Sequence, residues 1–175
     1  MRVIAGTLRG RRLLAPKGLA TRPTADRVRE AVFNILPHRL TNRQVLDIFA
    51  GTGAMGIEAL SRGAARAVFM DHHPLALAAI RRNLETLRLS DVTTVVRWDA
   101  SHSLEALDRQ RGLFDLIFLD PPYRSDLLRP TLSRLRASTR LHPGALAVAE
   151  HARSMVLTAE GTGWQIIDQR TYGKT

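Results

Sequence analysis

Cysteine is absent from the 175 residues, which excludes a disulfide framework and any thiolate metal centre. Secretion is not expected either, because Met1-Arg2-Val3-Ile4-Ala5-Gly6 has no apolar run of the kind a secretory signal needs. No stretch approaches the length of a membrane span. There is no internal repeat and no low-complexity segment. A soluble cytoplasmic protein is expected, with one well-cored domain and a small extension. Acidic residues are scarce, 16 against 26 basic, for a net charge of +10 and a pI near 11.4. Lysine is scarcer still, since 24 of the 26 basic residues are arginine. A codon bias would produce arginine everywhere. Here the imbalance is local: residues 1–43 hold ten basic side chains against Asp26 and Glu30. Charge concentrated in this way suits a polyanion, nucleic acid first.

What is there begins with two short runs, Arg2-Val-Ile-Ala5 and Arg11-Arg-Leu-Leu-Ala15, separated by the turn-prone Gly6-Thr-Leu-Arg-Gly10. They read as a hairpin that must lean on the main domain or on a partner. After a loop, Thr24 is placed to cap a helix over about 25–36, with Ala25, Val28, Ala31, Val32, Ile35 and Leu36 on one stripe. From Val45 the pattern alternates. Strands are expected at 45–50, 66–70, 92–97, 114–119, 145–149 and 164–170. Helices are expected from the Gly51 loop to about Gly63, from Pro74 to about Arg88, from Ser101 to about Gln110, and after Tyr123, firm from Pro130. Such alternation predicts an α/β fold with a mainly parallel sheet, whose ligands collect at the carboxyl ends of the strands.

Those ends carry the candidate site. Strand 114–119 runs into Asp120-Pro121-Pro122-Tyr123. Neither proline can donate to a sheet ladder, and both fix the backbone. Asp120 accepts hydrogen bonds, and Tyr123 offers a stacking face and a hydroxyl. Their natural partner is a planar group with an N–H donor at its edge, such as an amino-bearing nucleobase. The first strand ends in Asp47 and the loop Ala50-Gly51-Thr52-Gly53, the second in Asp71-His72, the third in Asp99-Ala100.

Gly51-Thr-Gly53-Ala-Met-Gly56 fits the dinucleotide pattern G-x-G-x-x-G, with Asp71 twenty residues on. A nicotinamide oxidoreductase is therefore a competing reading. Asp47, just before the loop, opposes it, because a carboxylate repels a pyrophosphate and attracts an amino group or a sulfonium. S-adenosylmethionine carries both. Asp71 suits a ribose diol, and Asp99-Ala100 an adenine edge, in either cofactor. The oxidoreductase reading leaves Asp120-Pro-Pro-Tyr123 and the basic N-terminus without a role. Asp47 also suits capping the glycine turn, and Asp71 and Asp99 suit starting the helices that follow them.

Four segments then carry a resemblance: Arg2-Val-Ile-Ala-Gly-Thr-Leu-Arg-Gly-Arg11, Thr21-Arg-Pro-Thr-Ala-Asp-Arg-Val-Arg-Glu30 with its continuation to Leu36, Val45 to Ala64, and Phe114 to Tyr123. Together they resemble the RsmD-type 16S ribosomal RNA guanine-N2 methyltransferases over essentially the whole chain. The Asp-Pro-Pro-Tyr box is shared by many amino-group methyltransferases, and the Arg-Pro-Thr segment is specific to the family.

The resemblance implies a Rossmann-like S-adenosylmethionine-dependent methyltransferase fold over residues 39–175. It also implies a basic RNA-binding hairpin and helix over 1–38 and a further antiparallel strand after the Tyr-Gly segment, from which this sequence, stopping at Tyr172-Gly-Lys-Thr175, departs: that last strand is expected to be absent or very short. The implied roles are cofactor binding for Asp47, Ala50, Gly51, Thr52, Gly53, Asp71, His72, Asp99 and Ala100, and base binding and catalysis for Asp120, Pro121, Pro122 and Tyr123. Phosphate contacts are assigned to Arg2, Arg9, Arg11, Arg12, Arg22, Arg27 and Arg29. No metal is called for. The expected partner is small-subunit ribosomal RNA, naked or within an assembling 30S particle, met by a monomer. The tetrapeptide alone leaves open adenine or cytosine in DNA, a glutamine side chain, and a non-catalytic assembly role.

Overall fold

A computed structural model describes residues 1–15, 23–37, 40–100, 102–122, 126–159 and 162–172. Tyr123, Arg22 and Ser101 lie outside the described residues. The chain runs α1 (Pro23–Ile35), β1 (Gln44–Ile48), α2 (Ala54–Ser61), β2 (Arg66–Asp71), α3 (Pro74–Leu87), β3 (Thr93–Arg97), β4 (Phe114–Leu119), α4 (Leu128–Ala137) and β5 (Leu141–Ala149). Among the described residues the strands form a five-stranded sheet in the order β3-β2-β1-β4-β5, every neighbour parallel. The strand order reverses between β1 and β4, so the crevice expected of such sheets opens there. No helix among the described residues is long and apolar enough to cross a membrane.

The core follows from the two-residue period of a strand. Val45, Ala67, Phe69, Leu116 and Phe118 pack on one face, under α2, α3, Phe33 of α1 and the N-terminal arm. Leu46, Ile48, Val68, Met70, Ile117 and Leu119 pack on the other, under Leu128, Leu132 and Leu135 of α4 and under Trp98, Leu104 and Leu107. Both faces are covered, as a parallel sheet requires.

The arm doubles back as expected, but with a single antiparallel bridge, Arg2 to Arg12, rather than two strands. Val3 N–H donates to the Arg11 carbonyl at 3.0 Å and Gly10 N–H to the Val3 carbonyl at 2.9 Å. It leans on the main domain. Val3 and Leu13 are buried in the shared core, and Glu58 of α2 accepts the Ile4 and Ala5 N–H groups at 2.7 and 3.0 Å. Gly6, at φ +83°, lies so close to α2 that a Cβ would stand 1.9 Å from the Ser61 carbonyl oxygen.

Four local expectations need correction. The first helix starts at Pro23, so Thr24 falls within its first turn and is not its cap. A proline is well suited to that opening position. The helix expected to reach Gln110 is only a 3₁₀ turn, Glu105–Leu107. Leu104 and Leu107 both reach the core, a spacing of three that fits a 3₁₀ turn, and Trp98 Nε1–H claims the Ser103 carbonyl at 2.9 Å. The fifth strand begins at Leu141, not Ala145. Its pairing with β4 slips between Phe114–Leu141 and Leu116–Leu146, where Pro143 and Gly144 form an irregularity. Residues 164–170 form no strand. Trp164 packs against α4 instead, its Nε1–H donating to the Leu132 carbonyl at 2.9 Å.

Candidate active site

β1 and β4 run side by side, with Asp47 opposite Phe118 and Ile48 opposite Leu119. This register brings Asp120 and the glycine loop to the same edge. Backbone bonds extend the sheet past its strand ends and fix the rim. Ala50 N–H donates to the Met70 carbonyl at 3.1 Å, Trp98 N–H to Asp71 at 2.9 Å, and Glu150 N–H to Leu119 at 2.8 Å.

Asp47 is 3% exposed, and one of its oxygens accepts the Gly56 N–H at 2.9 Å. Burial pushes its carboxyl up to about 8; the Gly56 bond opposes this, and Asp120 and Asp71 add repulsion. Gly56 has a steric role, because a Cβ there would stand 2.4 Å from the Phe69 ring and 3.2 Å from Asp47. This glycine lets α2 close onto β2. At Gly51, φ +57°, a Cβ would meet nothing within 4 Å. The loop therefore presents open backbone there, which a ligand can approach.

Asp71 braces the loop from below. Its Oδ2 accepts the Gly51 N–H at 2.9 Å, and its Oδ1 accepts the His73 N–H at 2.8 Å. Each oxygen retains a second lone pair for an incoming hydroxyl. His72 is exposed beside it, with Nδ1 3.8 Å from Asp71. Asn83, 1% exposed, donates to the Thr52 carbonyl at 3.0 Å and exchanges two bonds with Leu14. It thus ties the glycine loop to the arm. Asp99 is exposed at the rim and Ala100 is buried, its carbonyl accepting from Arg134 at 2.5 Å.

Asp120 faces solvent, Pro121 is buried and Pro122 exposed. Protein crowded around Asp120 pushes its carboxyl up to about 7, with Glu150 adding like-charge repulsion.

Two residues of this rim have no place in the sequence reading. Glu150 follows β5 as the other acids follow β1 to β4, and the same rule applied to a fifth strand end points to it. Phe49 holds a left-handed φ of +61°, uncommon for a bulky side chain and frequent at functional sites. Its ring meets Trp98 edge-on, with centroids 5.8 Å apart. Nothing in the sequence marks that conformation.

The structure does not bring all the proposed phosphate contacts together. Arg2, Arg9, Arg11, Arg12 and Arg27 are exposed, as a phosphate contact requires. Arg29 is not available. It is 3% exposed, donates to the Arg2 carbonyl at 2.6 Å, pairs with Asp26 at 3.2 Å, and lies 3.9 Å from Glu58. It fastens α1 to the arm.

Four acidic side chains, Asp47, Asp71, Asp120 and Glu150, gather at the crevice of a strongly basic protein; Asp47 and Asp120 hold their protons up to about 8 and about 7, and a cationic ligand would draw both towards the ionised form. Such a site favours a cationic ligand and repels a pyrophosphate. The donor set fits S-adenosylmethionine: a buried carboxylate under an open glycine backbone, and a second carboxylate with free lone pairs at the next strand end.

A model of the family described as "Conserved hypothetical protein 95" matches residues 1–175. The chain is 39% identical over 175 residues to "Putative rRNA methyltransferase YlbH" of Bacillus subtilis, covering 100% of this chain and 95% of that protein. It is 34% identical over 174 residues to "Ribosomal RNA small subunit methyltransferase D" of Escherichia coli K12, covering 99% of this chain and 86% of that one. Among solved structures, "Putative methyltransferase yhhF from Escherichia coli" superposes with a TM-score of 0.82 at 35% identity, over 99% of this chain and 93% of that one.

Proposed function

The chain belongs to the conserved hypothetical protein 95 family, and from that premise we propose that it transfers a methyl group to the exocyclic N2 of a guanine in small-subunit ribosomal RNA. The observation that carries this reading is the crevice between β1 and β4. An acidic, open-backed glycine loop suited to a cationic cofactor adjoins Asp120-Pro121-Pro122, suited to an amine. The exposed arginines of the arm supply the affinity for RNA, both relatives' names support rRNA, and that of the Escherichia coli relative supports the small subunit.

S-adenosylmethionine, when bound, supplies an activated methyl group on a sulfonium. Asp47, Gly51 and Gly53 hold its methionine side, Asp71 and His72 its ribose, and Asp99 and Ala100 its adenine. The chain's other task is to present the amine. A guanine amino group is a poor nucleophile because its lone pair is delocalised into the ring. Asp120 accepts a hydrogen bond from the amine, with the Pro121 carbonyl as a second acceptor, and this draws the nitrogen towards tetrahedral geometry. A carboxyl poised near 7 is also suited to take the proton the amine gives up. Tyr123 stacks on the base once it has left its own stack, a contribution on the order of 1–3 kcal/mol. Positioning and fixed electrostatics do most of the work. All these groups come from one chain, so a monomer suffices.

The test is methyl transfer from labelled S-adenosylmethionine to undermethylated small subunits, to the naked rRNA and to unrelated RNA, with the modified base identified by mass. Methylated guanine N2 at one position in the small-subunit substrate is expected. A methylated adenine, cytosine or protein glutamine, or no transfer with RNA still bound, would overturn the reading. Asp120→Ala should abolish transfer and leave cofactor affinity within about twofold.

A further inference from the structure

A second charged concavity lies at the opposite edge of the sheet, at the amino ends of β1 to β4. It measures about 360 Å³, and Gln44, Arg66, Thr94, Arg109, Gln110 and Arg111 are its polar lining. Strands of five and six residues place it roughly 16–20 Å from the crevice, at about 3.3 Å per residue. None of the groups proposed for methyl transfer reaches it. No acidic side chain lines it. Arg66, Arg109 and Arg111 are exposed, and none has an ion-pair or hydrogen-bond partner among the described residues.

The scaffold around these arginines is fixed. The loop Arg109-Gln110-Arg111-Gly112 lies against the start of β1: Gly112, φ +79°, is so close to the Gln44 side chain that a Cβ there would stand 2.1 Å from Gln44 Nε2. Gln110 N–H donates to the Leu107 carbonyl at 2.9 Å. Of the acids next to its lining in the chain, Asp115 is engaged by Arg43 at 2.8 Å and Asp108 by Arg140 at 3.4 Å, and Asp91, beside Val92, is exposed and does not line it. Three unpaired guanidinium groups on a braced rim, with amide and hydroxyl donors between them, make a receptor for phosphate oxygens.

We infer that this concavity is a second docking site for the sugar-phosphate backbone of the RNA substrate, one that holds a neighbouring segment while the target base occupies the crevice. The inference rests on the rRNA reading given above. It makes the substrate a folded RNA long enough to reach both edges of the sheet, because the two sites lie at opposite ends of the same strands. Phosphate contacts of this kind position a substrate and do not read its sequence.

The test compares the full chain with its R66Q/R109Q/R111Q variant, and with R109Q/R111Q as a milder second variant. Binding to small-subunit rRNA is measured between about 50 and 200 mM salt. The salt slope should become shallower by about one unit for each phosphate that is no longer neutralised, with affinity at low salt reduced at least tenfold. S-adenosylmethionine affinity and melting temperature should stay at wild-type values, since the substituted side chains are exposed and lie outside the crevice. An unchanged slope in both variants would overturn the inference. So would calorimetric binding of inorganic phosphate to wild type that disappears in the triple variant while the RNA slope is unaltered, because the pocket would then serve a small free anion. Failure of the wild-type protein to methylate small subunits is a separate outcome. It sinks the function proposed above, whereas intact wild-type transfer with an unchanged slope sinks only this docking site.

Discussion

Asp47 and Asp120 are both displaced from the ordinary carboxylate range, and the displacement has opposite consequences for folding and for activity. Asp47 holds its proton up to about 8 in the folded chain, against 3.8 for an unperturbed aspartate. Between those values the folded state binds more protons than the unfolded one, so stability falls as pH rises towards 8. Asp47→Asn removes the titration but keeps a carbonyl oxygen to accept the Gly56 N–H. Its melting temperature should match wild type near pH 4 and exceed it increasingly towards pH 8. A constant offset across that range would show that the acid is not titrating there. A cationic cofactor stabilises the ionised form, so binding at pH 7 should release protons, measurable as a buffer-dependent heat. For Asp120 the acceptor must be ionised. Transfer should therefore rise about tenfold per pH unit below 7 and level off above it. Asp120→Asn should lose roughly 10²–10³ in rate and flatten the profile. A wild-type rate indifferent to pH from 5 to 8 would remove the proton-accepting role.

At the level of elements, the arm and α2 form one unit joined through Glu58. That side chain is 1% exposed and binds Ile4 N–H, Ala5 N–H and Arg62 at 2.7, 3.0 and 2.8 Å. Arg62 in turn lies 4.7 Å over the Phe33 ring, which brings α1 into the same clasp. Glu58→Ala leaves buried donors and a cation unmatched and should cost about 3–5 kcal/mol, read as a shift in the urea midpoint. Gly6→Ala should destabilise by displacing the arm from Ser61 while leaving the isolated crevice geometry alone. The clasp was not legible in the sequence, because a glutamate within a helical stripe gives no sign of burial, and Arg29 looks like any other arginine of a basic helix. The strands were legible because β1, β2 and β4 are buried on both faces and read as apolar runs, with acids marking their ends. Local pattern failed where tertiary demand decided the outcome. Trp98 took the Ser103 carbonyl from the expected helix, and residues 164–170, expected as a strand, instead run past α4, where Trp164 Nε1–H donates to the Leu132 carbonyl. The site was half legible: Asp47, the glycines, Asp71 and Asp120 sit on one edge as expected, whereas Phe49 depended on a backbone angle, and Glu150 was within reach of the same rule because the fifth strand ends at Ala149 as expected.

For the whole molecule, charge is segregated rather than uniform. In a chain of net charge +10, four of the sixteen acids, Asp47, Asp71, Asp120 and Glu150, gather at the crevice, while the arm and the far edge of the sheet display exposed arginine. The outer field draws in a polyanion, and the crevice then favours the cationic cofactor. The arm takes part in both folding and the outer field, and these roles can be separated. Removing residues 1–15 takes Val3 and Leu13 from the core, each worth about 1.5–3 kcal/mol, and strands Glu58, so the truncated chain should be poorly folded whatever it binds. Arg9, Arg11 and Arg12 are exposed, and the bond from Arg11 to the Thr86 carbonyl is long at 3.5 Å. R9Q/R11Q/R12Q should therefore keep the wild-type melting temperature and cofactor affinity while its salt slope for rRNA binding falls by about one unit per phosphate left unneutralised. Combined with R66Q/R109Q/R111Q at the far edge of the sheet, the reductions should add, because the two groups of arginines share no partner. A truncated chain that stays folded would remove the arm's folding role, and an arginine variant that binds rRNA with the wild-type slope would place the RNA on a surface other than the arm.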